Sequence, residues 1–337
     1  MARVTIGTLT VRISPAATMK CLVGLNAWHT YSEFREREDV AGFCARLCQY
    51  VMARPDDAGL PELAALVSEQ IARLQRGRDL REPAIDALGQ KVRALLRDQQ
   101  RRAHATRYAE QAAAWFERFA AQPYLDLALC ALGHLERVGA RLPGPRPFCD
   151  AYVALRPPEL HSTGQYVPWL SAVAVQMDAI IGGRFAEIEF IETLLHEQVH
   201  AVIHARMRDQ GEHYARLPWF NELTAILLSQ YAIARAYADL RYEPAFRAVP
   251  AALRAARAQQ EWGDLAAAVL RATGDPLVTW RAWQAIFARG AYIRRNYAHR
   301  DILPPIVGRA GWRTAFPFAY GARAVDCRDD LVPGEAG

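Results

Sequence analysis

Residues 193–207, TLLHEQVHAVIHARM, hold histidines and a glutamate at a spacing that suits a metal ion. On a helix, His196 and His200 lie about 40° apart around the axis and about 6 Å apart along it, so both imidazoles can reach one ion. Glu197 lies about 100° from His196, where its carboxylate can take a proton from a water molecule on that ion. This arrangement is typical of zinc sites that activate water for hydrolysis.

An ordinary amphipathic helix is the alternative interpretation, since a solvated face also collects polar residues on one side. Apolar residues cover most of the remaining helix surface over residues 186–208. A solvated face does not explain why the polar stripe holds His196 and His200 one turn apart, with Glu197 directly after the first. The pattern therefore favours the metal site.

A catalytic zinc ion needs a third protein ligand and an open position. His204 is a poor candidate, because it lies about 12 Å from His196 along the helix axis. Glu222 is better, because Pro218 opens a new helix after a loop long enough for the two helices to form a hairpin. The alternative for Glu222 is a carboxylate at a helix start, favoured by the helix dipole. We predict zinc ligands His196, His200 and Glu222.

The segments HEQVH and PWFNELTA together resemble the gluzincin zinc peptidases, which include thermolysin-like proteases and zinc aminopeptidases. The resemblance implies a zincin-like domain in which zinc is bound by His196, His200 and Glu222. It also implies that Glu197 is the general base and that Asn221 helps to set the second helix against the site.

A third segment, IFARGAYIRRNY, resembles the downstream gluzincin helix whose tyrosine steadies the oxyanion in aminopeptidases. Phe287 stands in the place of that tyrosine, and a phenylalanine donates no hydrogen bond. The resemblance then implies another donor, for which Tyr292, Tyr297, His299 and His213 are the candidates.

The resemblance covers about residues 165–300 and also concerns how a substrate would lie. AVAVQMDAII occupies the place of the edge strand along which these enzymes bind an extended peptide. The aminopeptidase signature Gly-x-Met-Glu-Asn, which holds a free amine, is missing. The resemblance therefore favours an endopeptidase-like cleft.

The elements around these motifs predict a mostly helical α+β fold. Alternating residues over 1–20 predict a strand, and helical periodicity covers about residues 37–139, including one long helix from Pro83 to about Phe119. After GPRPFCD, the segments DAYVALRP and YVPWLSAVAVQMDAIIGG predict strands. Helices follow from Ala186 to about Arg208 and from Pro218.

Two regions follow from this organisation. Residues 1–145 are predicted to hold short N-terminal strands and a helical region. Residues 146–337 are predicted to form a zincin-like catalytic domain with a small edge-strand sheet, a helical C-terminal part and a loop-rich tail.

Composition limits the classes of partner. With 52% apolar residues among 337, the chain can bury one large core or two smaller ones, and its net charge of +5 requires no acidic partner. Between Glu69 and Arg102 both charge signs are mixed and aromatic residues are absent. That mixture favours a solvated helical face over a nucleic-acid surface.

No segment reads as a signal peptide, and no apolar run reaches the roughly 18 residues that a membrane span needs. We therefore expect a soluble, cytoplasmic protein, with specialised export left open. Cys44 and Cys48 lie one turn apart with no second pair nearby, so we expect no zinc knuckle and thiols kept reduced.

The function expected from these patterns is zinc-dependent hydrolysis of a peptide or protein substrate, with Glu197 as general base. Two alternatives stay open. One is a catalytically degenerate zincin-like scaffold, which the loss of the tyrosine at Phe287 would indicate, and the other is an exported effector protease. Nucleic-acid binding through the arginine-rich helices is the weakest alternative, and the sequence does not predict an oligomeric state.

Overall fold

The protein is described from a computed structural model. It describes residues 2–33, 38–76, 83–121, 123–138, 148–155, 163–209, 218–242, 244–247 and 263–288. The strands are β1 (Ala2–Ile6), β2 (Leu9–Ile13), β3 (Ala151–Val153), β4 (Gly164–Val167) and β5 (Ala172–Val175). Short 3-10 turns lie at Pro168–Leu170 and Pro244–Phe246.

The helices make up most of the described residues, which confirms the prediction of a mostly helical α+β chain. They are α1 (Pro15–Glu33), α2 (Glu38–Met52), α3 (Leu60–Arg76), α4 (Pro83–Arg97), α5 (Gln99–Ala120), α6 (Tyr124–Val138), α7 (Met177–Ile180), α8 (Ala186–Asp209), α9 (Pro218–Leu240), α10 (Gly263–Thr273) and α11 (Val278–Ala288). No helix in the described ranges is both long enough and apolar enough to cross a membrane.

Two compact units divide the chain. The first takes Met1–Leu125 and Phe148–Leu194, and the second takes Asp126–Pro147 and Leu195–Gly337. This division differs from the expected regions 1–145 and 146–337, because the strands near the N-terminus pair with strands that follow residue 148.

The first unit holds a mixed five-stranded sheet with the order β1-β2-β3-β5-β4. Strands β2, β3 and β5 are parallel, and β1 and β4 are antiparallel to their neighbours. The segment AVAV is β5, an interior strand hydrogen-bonded to β3 on one side and β4 on the other. The expectation that AVAVQMDAII is an edge strand is therefore wrong, and β4 takes the edge position.

Residues 2–33 contain a hairpin of two short strands followed by a helix, where only strand structure was expected over residues 1–20. Gly7, with a φ of 61°, turns the chain between β1 and β2, a conformation that glycine adopts without steric cost. Helix α1 then begins at Pro15, and the Ser14 hydroxyl accepts a hydrogen bond from the Ala17 amide at 3.0 Å. Proline in the first turn and a serine before it stabilise a helix start.

The helix expected from Pro83 to Phe119 is two helices. The chain is extended at Asp98, with φ −65° and ψ 109°, and the Asp98 carboxylate accepts a hydrogen bond from the Arg101 amide at 3.0 Å. An aspartate in this role caps a new helix. The apolar periodicity continues across the break, so it did not reveal the boundary.

An aromatic cluster in the first unit packs the first half of α8 against α5. The Phe190 ring lies 5.4 Å from Trp115, 5.0 Å from Phe116 and 5.2 Å from Phe119, between ring centroids. The three contacts have interplanar angles of 67–83°, an edge-to-face geometry that aromatic pairs favour. This packing holds the beginning of the helix that carries the histidines.

A buried ion cluster lies beside the sheet of the same unit. Lys20 is only 1% exposed, and its ammonium group lies 2.9 Å from the Asp56 carboxylate. Arg12 binds the other oxygen of Asp56 at 2.6 Å and binds Asp150 at 2.7 Å. Burial alone would raise the pKa of Asp56, but hydrogen bonds and charge from Lys20 and Arg12 lower it.

Candidate metal centre

Helices α8 and α9 bring the donor atoms of all three predicted ligands together within the second unit. Nε2 of His196 lies 3.0 Å from Nε2 of His200 and 3.2 Å from Oε2 of Glu222. Nε2 of His200 lies 3.4 Å from Oε1 of the same carboxylate. The two rings meet nearly edge to face, with centroids 4.7 Å apart and an interplanar angle of 76°.

These distances match the edges of a tetrahedral zinc site. With metal–ligand bonds of about 2.0–2.1 Å, two ligand atoms of a tetrahedron lie about 3.3 Å apart. The three observed separations run from 3.0 to 3.4 Å. Two imidazoles and one carboxylate are also a donor set that catalytic zinc uses, so the residues fit the ion.

The 3.0 Å separation of the two Nε2 atoms is hard to explain by hydrogen bonds within this cluster alone. Each Nε2 atom carries at most one hydrogen. If both histidines carry one there, two donors face each other at 3.0 Å; if only one does, the bare nitrogen of the other faces an oxygen of Glu222. A cation among His196, His200 and Glu222 removes the conflict, because all three groups then present lone pairs to it.

The Glu222 carboxylate is held in its charged form. Burial alone would raise the pKa of Glu222, but the charge and hydrogen bonds of His200 and His196 outweigh it and hold this pKa well below its usual range. A metal ligand must be deprotonated, so the carboxylate already has the form that a cation requires.

The cluster is buried on one side and open on the other. The His200 side chain is 5% exposed, His196 is 20% exposed and Glu222 is 40% exposed. Catalytic zinc sites keep an open position for water or substrate, and the partial exposure of His196 and Glu222 is compatible with one.

The Glu222 carboxylate is held in place by its local sequence and by one contact between distant residues. Pro218 occupies the start of α9, where its missing amide hydrogen is not needed. Asn221, next to Glu222, is 2% exposed, and within the described residues its Oδ1 accepts no hydrogen bond. Trp283 on α11 donates a hydrogen bond to the Thr224 hydroxyl at 3.0 Å. Sequence reasoning missed Trp283, because no local pattern links residues so far apart.

The other predicted residues have varied placements. Glu197 is 7% exposed and follows His196 on α8. His204 is not part of the three-residue cluster, in agreement with its distance along the helix. Phe287 lies on α11, and the structure describes its backbone but not its side chain.

The candidate oxyanion donors Tyr292, Tyr297, His299 and His213 lie outside the described residues. Their role therefore stays a prediction that follows from the resemblance.

Comparison of the chain with protein-family models, with curated proteins and with solved structures found no match. The interpretation of the site therefore depends on its own geometry and chemistry.

Proposed function

We propose that this chain is a zinc-dependent peptidase whose metal is held by His196, His200 and Glu222. The observation that supports the proposal is the set of three mutual distances, 3.0, 3.2 and 3.4 Å, among two imidazole nitrogens and a carboxylate. Glu197, directly after the first histidine, is the residue that we propose as the general base.

Zinc, when bound, supplies two effects: it lowers the pKa of a water molecule and polarises a carbonyl oxygen. Two imidazoles and the anionic Glu222 would hold the ion without cancelling its charge, and the centre would then favour the negative charge that develops on the substrate oxygen. Glu197 takes the proton of the attacking water and passes it to the leaving amine. The proposed substrate is a peptide or protein, which is cleaved at one of its internal peptide bonds.

The interior position of β5 changes how a substrate strand would bind. Both edges of β5 are hydrogen-bonded to other strands, so a peptide cannot add to it. In the part of the sheet that the structure describes, the edge strands are β1 and β4.

The experiment is metal analysis of purified protein, together with cleavage profiling on a mixed peptide library read by mass spectrometry. We expect bound zinc and cleavage in the wild type. His196→Ala and Glu222→Ala should each lose cleavage and one equivalent of zinc. His204→Ala, on the same helix, is the matched control and should keep both.

Two results would count against the proposal in different ways. Wild-type protein that binds no divalent metal would contradict the metal site itself. Full zinc content without cleavage of any peptide would favour the non-enzymatic alternative, in which the same fold serves as a binding scaffold.

A further inference from the structure

A second cluster of metal-ligating side chains lies in the same unit, away from the histidines of α8. Cys130 and His134 lie one turn apart on α6, and Asp239 comes from the end of α9. Oδ2 of Asp239 is 2.7 Å from Nε2 of His134 and 3.8 Å from Sγ of Cys130. All three donor atoms lie within 4.8 Å of one another.

The three donor types suit a thiophilic divalent cation. Tetrahedral zinc with one sulfur, one nitrogen and one oxygen ligand places these atoms about 3.3–3.5 Å apart. The Asp239 oxygen is 2.7 Å from the imidazole and 3.8 Å from the sulfur, so both separations differ from that geometry by less than 1 Å. Cys130 is half-buried, His134 is buried and Asp239 is exposed, which leaves the carboxylate free to adjust.

An open pocket borders two of the three donors. It has a volume of about 560 Å³, and both His134 and Asp239 line it together with Tyr231 and the two arginines of this region, Arg137 and Arg235. Solvent in this pocket therefore reaches two of the three donor residues, His134 and Asp239.

The contact with Arg137 determines which ring nitrogen of His134 carries the hydrogen. Its Nη2 lies 2.9 Å from Nδ1 of His134. A guanidinium only donates, so Nδ1 accepts, and in the neutral ring the hydrogen is on Nε2, where it is donated to Asp239. A metal-ligating histidine usually donates its other ring hydrogen to an acceptor. Arg137 presents a donor at that place.

We propose that Cys130, His134 and Asp239 form a second, sulfur-containing site for a divalent cation such as zinc, and that Arg137 opposes its occupation. When the cation binds, the thiol proton goes to solvent and the imidazole hydrogen moves from Nε2 to Nδ1. The net change is one proton released for each cation bound, with no oxidation or reduction. A protonated Nδ1 cannot accept a hydrogen bond from Arg137, so the guanidinium must leave its place beside His134.

Cobalt titration of the 337-residue chain under reducing conditions tests the site, because cobalt bound to a thiolate gives a sulfur-to-cobalt charge-transfer absorption. The site of two histidines and a glutamate contains no sulfur and gives none. We expect this band in the wild type and in His196→Ala, and its loss in Cys130→Ser. Cys149→Ser, which removes another half-buried cysteine, is the matched control and should keep the band.

Asp239→Asn provides a second test, since the side chain is exposed and its replacement does not threaten folding. Loss of a direct ligand should weaken cobalt binding at the sulfur site by about a hundredfold or more, since loss of a residue that only supports a ligand already costs about 10- to 100-fold. Absence of the sulfur band in wild-type protein at saturating cobalt, or a band that survives in Cys130→Ser, would overturn the proposal.

The role of Arg137 is tested with a charge-matched pair of variants. Arg137→Gln and Arg235→Gln each remove one positive charge from the cavity, but only Arg137 is bonded to Nδ1 of His134. We expect Arg137→Gln to tighten cobalt binding by about fivefold more than Arg235→Gln does, the worth of one hydrogen bond. Equal effects would mean that Arg137 acts through its charge alone and would refute its part in the proposal.

Discussion

The indole Nε1 of Trp283 donates a hydrogen bond to the hydroxyl of Thr224, 3.0 Å away, and both side chains are buried. Thr224 lies two residues after Glu222 on α9. The bond therefore ties the ligand-bearing turn of α9 to α11, and the position of the Glu222 carboxylate depends on a residue that does not belong to the metal cluster.

Trp283→Phe should weaken both folding and zinc binding. Loss of the buried bond should lower the free energy of unfolding by about 1–3 kcal/mol. Because α9 becomes less firmly held, zinc affinity at the histidine cluster should fall by about tenfold. The measurements are urea unfolding and competition with a chromophoric chelator, in a Cys130→Ser background so that only one site titrates.

Trp280→Phe is the control for this variant. Trp280 is on the same helix and donates to the Val138 carbonyl at 3.3 Å, so its replacement should cost similar stability but leave zinc affinity unchanged. Equal loss of affinity in both variants would mean that the effect is general destabilisation.

Zinc should stabilise the folded chain through the histidine cluster. A ligand at one hundred times its dissociation constant adds about 2.7 kcal/mol to the free energy of unfolding, which corresponds to a rise in Tm of about 5 °C. Thermal unfolding with zinc and with a chelator measures the shift, again in Cys130→Ser. The shift should be absent when His200→Ala is added, and a shift that persists there would show binding elsewhere.

Glu197→Gln should separate proton transfer from metal binding. The amide keeps the size of the carboxylate but cannot take a proton, so peptide cleavage should fall by about 100- to 10,000-fold while zinc content stays at the wild-type level. Glu189→Gln, the same change in a half-buried residue of α8, is the control. Unchanged cleavage in Glu197→Gln would remove this residue from the mechanism.

The ion cluster around Asp56 should make stability depend on pH. The pKa of Asp56 is lowered in the folded state, so this carboxylate stabilises the fold above its unfolded pKa of about 3.9. That contribution should disappear as the pH falls through the lower, folded pKa. Urea unfolding between about pH 3 and pH 7 measures it.

Asp56→Asn should flatten that pH dependence and lower the free energy of unfolding at pH 7 by about 3 kcal/mol, because it leaves the Lys20 ammonium buried with a weaker partner. Asp57→Asn changes the neighbouring exposed residue and should do neither. An Asp56→Asn variant with wild-type stability at pH 7 would mean that the cluster contributes nothing net.

Predictions from local signals agree best with the structure. Periodicity predicted a helix from Ala186 to Arg208, and α8 ends one residue later; a proline predicted the start of α9. The break at Asp98 was missed, because a capping aspartate inside a continuous apolar pattern resembles an ordinary surface residue.

The sequence by itself determined that His196 and His200 lie one helical turn apart on α8 and that Glu222 lies in the first turns of α9. Such spacing depends only on neighbours along the chain. Only the tertiary structure decided which elements meet. It made AVAV an interior strand, set Trp283 against Thr224 and joined Asp239 to Cys130 and His134. Such pairings depend on how distant segments share a core, and neither periodicity nor spacing within a segment contains that information.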